Sequence, residues 1–123
     1  MIPSYAGDTR WKDIYDCLKT AGIDVYSPGQ HDGTCTSPYA VVRFAGRYKK
    51  VNYSTNDVTY EILCYVPVKN YTMLDTFSSQ VKTAMIELWP MVKTKHNELP
   101  DYLDDDLQAH MRTLQYLVHE QIV

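Results

Sequence analysis

A two-layer α/β domain, a sheet with helices laid on it, is what this sequence predicts, and three observations carry the expectation. Val58, Tyr60, Ile62, Cys64 and Val66 alternate with Thr59, Glu61, Leu63 and Tyr65, the period-two pattern of a strand with one fully apolar face. Leu74, Phe77, Val81, Ala84, Met85 and Leu88 recur at helical spacing and stop before Pro90. The chain has 123 residues, enough to bury one core and too few for two, so stripe and strand face must cover each other. Phe77, Val81 and Leu88 are therefore expected to pack on Tyr60, Ile62 and Cys64.

The remaining elements follow in chain order. Asp8 is placed to cap a helix over 9–21 whose apolar positions are Trp11, Ile14, Tyr15 and Leu18, with Gly22 as its stop. A short strand is expected at 23–26, then an exposed loop at 27–38, rich in Ser, Pro, Gly, Asp and Thr. Residues 39–45 and 47–53 are β-rich and broken at Gly46, which fits a hairpin or a bulged strand. Thr72 and Asp75 make a capping-box-like start for a helix over 73–88, and 93–102 reads as the other long loop. The last stretch fits two patterns. Leu107, Met111, Leu114 and Val118 suit a helix led by Asp104, Asp105 and Asp106, whereas Leu114, Tyr116 and Val118 suit one face of a strand; periodicity favours the helix.

Composition excludes several functional classes. No apolar run approaches the roughly 20 residues of a membrane-spanning helix, and residues 1–7 have neither the basic nor the apolar region of an export signal, so no membrane partner is expected. A net charge of -3 supplies no general attraction to a phosphate backbone. Cys17, Cys35 and Cys64 are odd in number and widely spaced, which reads as free thiols in a reducing compartment. Eleven tyrosines against two phenylalanines favour half-wet contact surfaces, because the ring is apolar and its tip polar.

Chemistry-bearing patterns are few. The phosphate-binding loop, the dinucleotide fingerprint, the nucleophile elbow and the zinc-protease helix are all missing from the sequence, and no catalytic, cofactor or metal residues are assigned. His31, Asp32 and Cys35 share a loop but fall short of a four-ligand set, so their joint replacement by Ser is expected to leave the fold nearly unchanged. Cys64 belongs to the apolar strand face, where a thiol is inert. Asp101, Asp104, Asp105 and Asp106 lack the Gly and Glu positions of a calcium loop and read as a solvated turn or a charged contact surface. Arg43, Arg47, Lys49 and Lys50, interleaved with Phe44 and Tyr48, form the basic and aromatic segment. Guarding an exposed sheet edge is the preferred role over nucleic-acid contact, and its charge complements the acidic turn between copies of the chain.

Tyr60-Glu61-Ile62-Leu63-Cys64-Tyr65-Val66-Pro67, the helix from Leu74 to Met85, Trp89-Pro90-Met91-Val92, and the stretch from Tyr102 through Asp104-Asp105-Asp106 to Arg112, taken together, resemble the tail terminator proteins of tailed bacteriophages and prophages. Thr36-Ser37-Pro38-Tyr39 is similar as well. The likeness is one of order and flavour over roughly two thirds of the chain, without a catalytic signature. It implies an α+β domain with a central, mostly antiparallel sheet packed by two helices, and a strand rather than a helix at 109–120. It also implies a homo-hexameric ring on the head-proximal end of the tail tube, stopping tube growth and offering a surface for neck or head joining. The implied partners are other copies of the chain, the tail tube protein, and neck, connector or sheath proteins, with DNA at most passing through the lumen. The implied place is the virion tail or neck, assembled in the bacterial cytoplasm. A head-tail connector or neck subunit is the close alternative; a small metal-dependent enzyme or nucleic-acid-binding module is the distant one.

Overall fold

The alternating segment becomes the middle strand of a six-stranded sheet. The computed structural model describes residues 6–49, 55–94 and 99–121. In chain order these form α1 (Ala6–Thr20), β1 (Val25–Tyr26), β2 (Tyr39–Lys49), β3 (Thr55–Pro67), α2 (Met73–Met85), β4 (Lys93–Thr94), β5 (Tyr102–Asp104) and β6 (Ala109–Gln121). Short 3-10 turns, Val68–Asn70 and Ile86–Leu88, flank α2. The sheet runs β1-β2-β3-β6-β4, and β5 shares with β4 the edge of β6 that β3 leaves open. β1 lies parallel to β2 and every other pairing is antiparallel, so the chain is a single α+β domain with a mostly antiparallel sheet and two helices.

Both helices cover one face of the sheet. Val58, Tyr60, Ile62, Cys64 and Val66 of β3 are fully buried there against Ile14 and Leu18 of α1 and Leu74, Phe77 and Val81 of α2. Leu88, expected in the same contact, is only partly buried at its margin. The opposite face is dry at one end as well. Tyr39, Val41, Leu63, Tyr65 and Cys35 form a second, smaller core beneath the 27–38 loop, whose Cys35 amide donates to the Leu107 carbonyl at 2.8 Å. Leu63 and Tyr65, the residues that alternate with the apolar face, are buried too because that loop folds back over them.

Several boundaries differ from expectation for physical reasons. α1 begins at Ala6, so Asp8 lies inside the helix rather than capping it. Gly22 does close it, at φ +84°, donating its amide to the Lys19 carbonyl at 3.0 Å. Thr72 is itself helical and its side chain caps nothing, because the chain enters α2 from a 3-10 turn and the Leu74 amide is met by the Tyr71 carbonyl. Gly46 produces a bulge within one strand, with φ +144° and a register shift between Phe44 and Gly46; β2 continues past it to Lys49. The expectation for 50–53 lies outside the described residues. The loop expected at 93–102 carries β4 and the start of β5.

The largest correction concerns 107–118, where the helix favoured by periodicity is absent. Residues 109–121 instead pair with β3 from Pro67↔Ala109 to Thr55↔Gln121, burying Leu114, Tyr116 and Val118 on the helix-covered face. Asp104, Asp105 and Asp106 lead no helix: Asp104 ends β5, and Asp105 and Asp106 lie in the turn that leads to β6.

Candidate functional site

The two charged segments sit at opposite ends of the sheet. β2 and β3 run side by side from Tyr39↔Tyr65 to Lys49↔Asn56, and Asp104 pairs with Ala109 at the Pro67 end. Ten residues of strand therefore separate the acidic turn from the tip of the basic strand, a span of about 30 Å.

At the basic end the charges differ in availability. Arg43 donates to Glu61 through Nε at 3.0 Å and also through Nη2, and the Gln115 amide donates to the other Glu61 oxygen at 3.0 Å. This cross-strand row consumes Arg43 internally. Arg47 lies with its guanidinium carbon 5.4 Å from the Phe44 ring centroid, and Phe44 is 46% exposed although its edge touches Tyr60. The side chains of Tyr48 and Lys49, and Lys50 as a whole, lie outside the described residues.

At the acidic end two of the four aspartates are engaged. Arg112 meets Asp101 with two bonds, at 2.8 and 2.9 Å, and reaches Asp75 Oδ1 at 2.6 Å and Ser78 Oγ at 3.2 Å. The Tyr71 hydroxyl donates to Asp101 Oδ2 at 2.7 Å. Arg112 foremost, with the Tyr71 hydroxyl adding to it, holds the Asp101 carboxyl below the usual carboxylate range, against the opposing effect of partial burial. Asp104 Oδ1 accepts the amides of Asp106 and Leu107, each at 3.1 Å, which shapes the turn. Asp105 and Asp106 remain exposed. A cluster joining positions 75, 101 and 112 had no local sequence signal; only the pairing of β5 with β6 and the packing of α2 gather it.

The His31–Cys35 loop is packed rather than loose. His31 stacks on Tyr39 at 3.8 Å between centroids with planes 7° apart, and Tyr39 stacks in turn on Tyr65 at 4.8 Å. Cys35 is buried and its Sγ meets the Ser37 carbonyl at 3.3 Å, so the expectation that His31 and Cys35 are dispensable is corrected. Asp32 is exposed. No group of three or more His, Cys, Asp or Glu is arranged to hold a metal among the described residues. Cys64 is fully buried, and burial pushes its thiol up to about 12, where the thiolate nucleophile is absent at neutral pH.

Neither protein-family models nor curated proteins match this sequence. No helix among the described residues is long and apolar enough to cross a membrane.

One further surface escaped sequence reasoning. A groove opens where α1 meets α2, floored by Ile23, Phe77, Ala84 and Leu88, with Met91 at its margin. Ile86, Trp89 and Met91 are at least half exposed beside it, an apolar corner on the turn that ends α2. Asp13, Asp16, Asp24, Asp75 and Glu87 line the groove, and among the described residues no Lys or Arg does. Their spread over three segments hid the grouping, although the exposed Trp89-Pro90-Met91 run after the helical stripe was a usable signal.

Proposed function

We propose that this protein is a non-catalytic assembly subunit of the tail terminator type, acting as a ring on the head-proximal end of a phage or phage-like tail tube. Strand β6 carries the reading. At 109–121 the local periodicity favoured a helix while the resemblance implied a strand, and the strand is what the chain forms. A small α+β fold serves many functions, so this agreement at a point of conflict weighs more than the fold class itself.

The distribution of surface features supports the same conclusion. Exposed apolar side chains gather at the end of α2, and opposite charges stand at opposite ends of the sheet, a pattern suited to contacts in which one surface meets a different surface of the next copy. Such a ring joins the tube protein on one side and a neck, connector or sheath protein on the other. It works in the virion tail or neck after assembly in the bacterial cytoplasm.

Electron microscopy of the purified protein, alone and mixed with tail tubes, tests the proposal. Six-membered rings, free or crowning one end of each tube, are the expected result. A strict monomer that leaves tube ends bare and tube lengths unchanged would refute it.

A further inference from the structure

The groove between α1 and α2 has two polar rims set at helical spacing. Asp13, Asp16 and Thr20 recur every three or four residues along one side of α1. Thr76, Gln80 and Thr83 do the same along α2, and Glu87 continues the row on the turn that ends it. The α2 rim is about 16 Å long, or three helical turns. Ile23, Phe77, Ala84 and Leu88 make an apolar floor between the rims, and the exposed Trp89 and Met91 extend that apolar surface at one end. The charge on the rims has one sign. Asp16 and Glu87 are exposed and make no ion pair among the described residues, and no described Lys or Arg lines the groove. The two rims act on the same space: the Cys17 thiol, which donates to the Ala84 carbonyl at 3.2 Å, is pushed up first by burial and then by the Glu87 carboxylate.

An apolar floor between carboxylate rims calls for an apolar stripe flanked by cations, and rims of this length and spacing match about three turns of an amphipathic helix. Neither helix of this chain fits. α1 carries three acidic and three basic residues and α2 one of each, and both bury their apolar faces on the sheet. The acidic turn lacks the combination that the groove has. Its exposed Tyr102 and Leu103 pair with Met111 and His110, successive positions of β6, so they face opposite sides of the sheet and form no floor beside Asp105 and Asp106. We infer that the α1–α2 groove receives a basic amphipathic helix of a different protein, its apolar stripe on the floor and its Lys or Arg side chains against Asp16 and Glu87. Docking of this kind requires no ring.

A synthetic peptide of about 14 Leu and Lys residues, with its leucines on one helical face, is the probe. It should bind the protein at low salt and slow the labelling of Cys17, a thiol that lines the groove, several-fold at saturation. A shuffled peptide of the same composition without an apolar face, and a version with Glu in place of Lys, should do neither. Asp16→Lys with Glu87→Lys should weaken binding by roughly tenfold, and the isosteric Asp16→Asn with Glu87→Gln by about threefold, both losses shrinking at high salt. Asp105→Lys with Asp106→Lys should leave binding unchanged. Circular dichroism checks each fold, and the isosteric pair decides if the charge reversal unfolds the protein. Equal binding of the shuffled peptide, a loss on the turn variant with none on the groove variants, or binding that leaves Cys17 labelling at its free rate overturns the inference. Cys17 shielded in assembled wild type and accessible again on dissociation gives the groove to a neighbouring copy, which overturns the inference and leaves the ring standing. A monomer that binds the peptide in the groove supports the inference and counts against the ring.

Discussion

Arg112 holds Asp101 by two bonds at once, Nε donating to Oδ1 at 2.8 Å and Nη2 to Oδ2 at 2.9 Å, with both side chains about four-fifths buried. The pair ties the segment before β5 to the first part of β6, and the remaining Arg112 bonds tie both to α2. Asp101→Asn leaves the guanidinium with a neutral partner in a partly dry site and should cost about 1 to 3 kcal/mol in urea unfolding. Asp75→Asn removes the other ion pair, but the Asp75 side chain is 81% exposed, so its loss should stay below about 1 kcal/mol. Equal losses at the two positions would count against the two-bond pair as the anchor.

The same pair fixes a dependence on pH. Asp101 titrates below the roughly 3.9 of an unfolded aspartate, so its contribution is fully present above that value and disappears as pH falls through the folded one. The stability gap between wild type and Asp101→Asn should be level from neutral pH down to about 5 and should narrow below about 4. Urea midpoints measured along that series decide it. A gap that widens on acidification contradicts the assignment.

Phe77 is buried with Tyr60, Ile62 and Cys64 on the helix-covered face. Phe77→Ala should cost about 3 to 5 kcal/mol, through lost transfer energy and the cavity left behind. A loss under about 1 kcal/mol would mean that α2 does not pack there.

In the 27–38 loop, His31→Ser removes the stack on Tyr39 and should cost about 0.5 to 1.5 kcal/mol, while the exposed Asp32→Ser should be close to neutral. Thermal melts of the two single variants separate them. Identical melting temperatures for both variants and wild type would show that the stack contributes nothing.

The Cys64 thiol, fully buried and raised to about 12, should resist thiol reagents at pH 8 until the protein unfolds. Cys17, partly accessible with its Sγ on the Ala84 carbonyl, should label first. Mass spectrometry after limited labelling reads the order, and early modification of Cys64 would contradict its place in the core.

Local pattern revealed the parts of this fold that local pattern determines. β3 and α2 each satisfy one period over several repeats, and each stripe needs the other for a dry partner. The 109–121 stretch satisfies two periods at once, because Leu107, Met111, Leu114 and Val118 happen to recur every three or four residues. The choice is made by thirteen residue pairings with β3, which composition at 109–121 does not encode. For the same reason the basic and acidic segments were visible as charge, whereas the partners of Arg43 and Asp101 were not. Glu61 and Arg112 stand on paired or neighbouring strands 18 and 11 residues along the chain; they engage both candidate contact residues, burying much of Asp101 while Arg43 stays half exposed. The groove was invisible for want of any contiguous run, since its carboxylates stand on α1, on α2 and its following turn, and ahead of β1.

The place of β6 has a consequence for how the chain comes off the ribosome. β3 presents a thirteen-residue edge that only residues 109–121 cover, and more than forty residues must be synthesised between the two strands. At about 5 to 20 residues per second, that edge waits for several seconds with its amides and carbonyls unmatched. An unmatched edge beside a fully apolar face is a template for pairing with another nascent chain, so this domain has an interval of vulnerability during translation that a fold with sequential hairpins avoids. Whatever shelters the growing chain in that interval, a chaperone or early collapse of α2 onto β3, governs how much reaches the folded state.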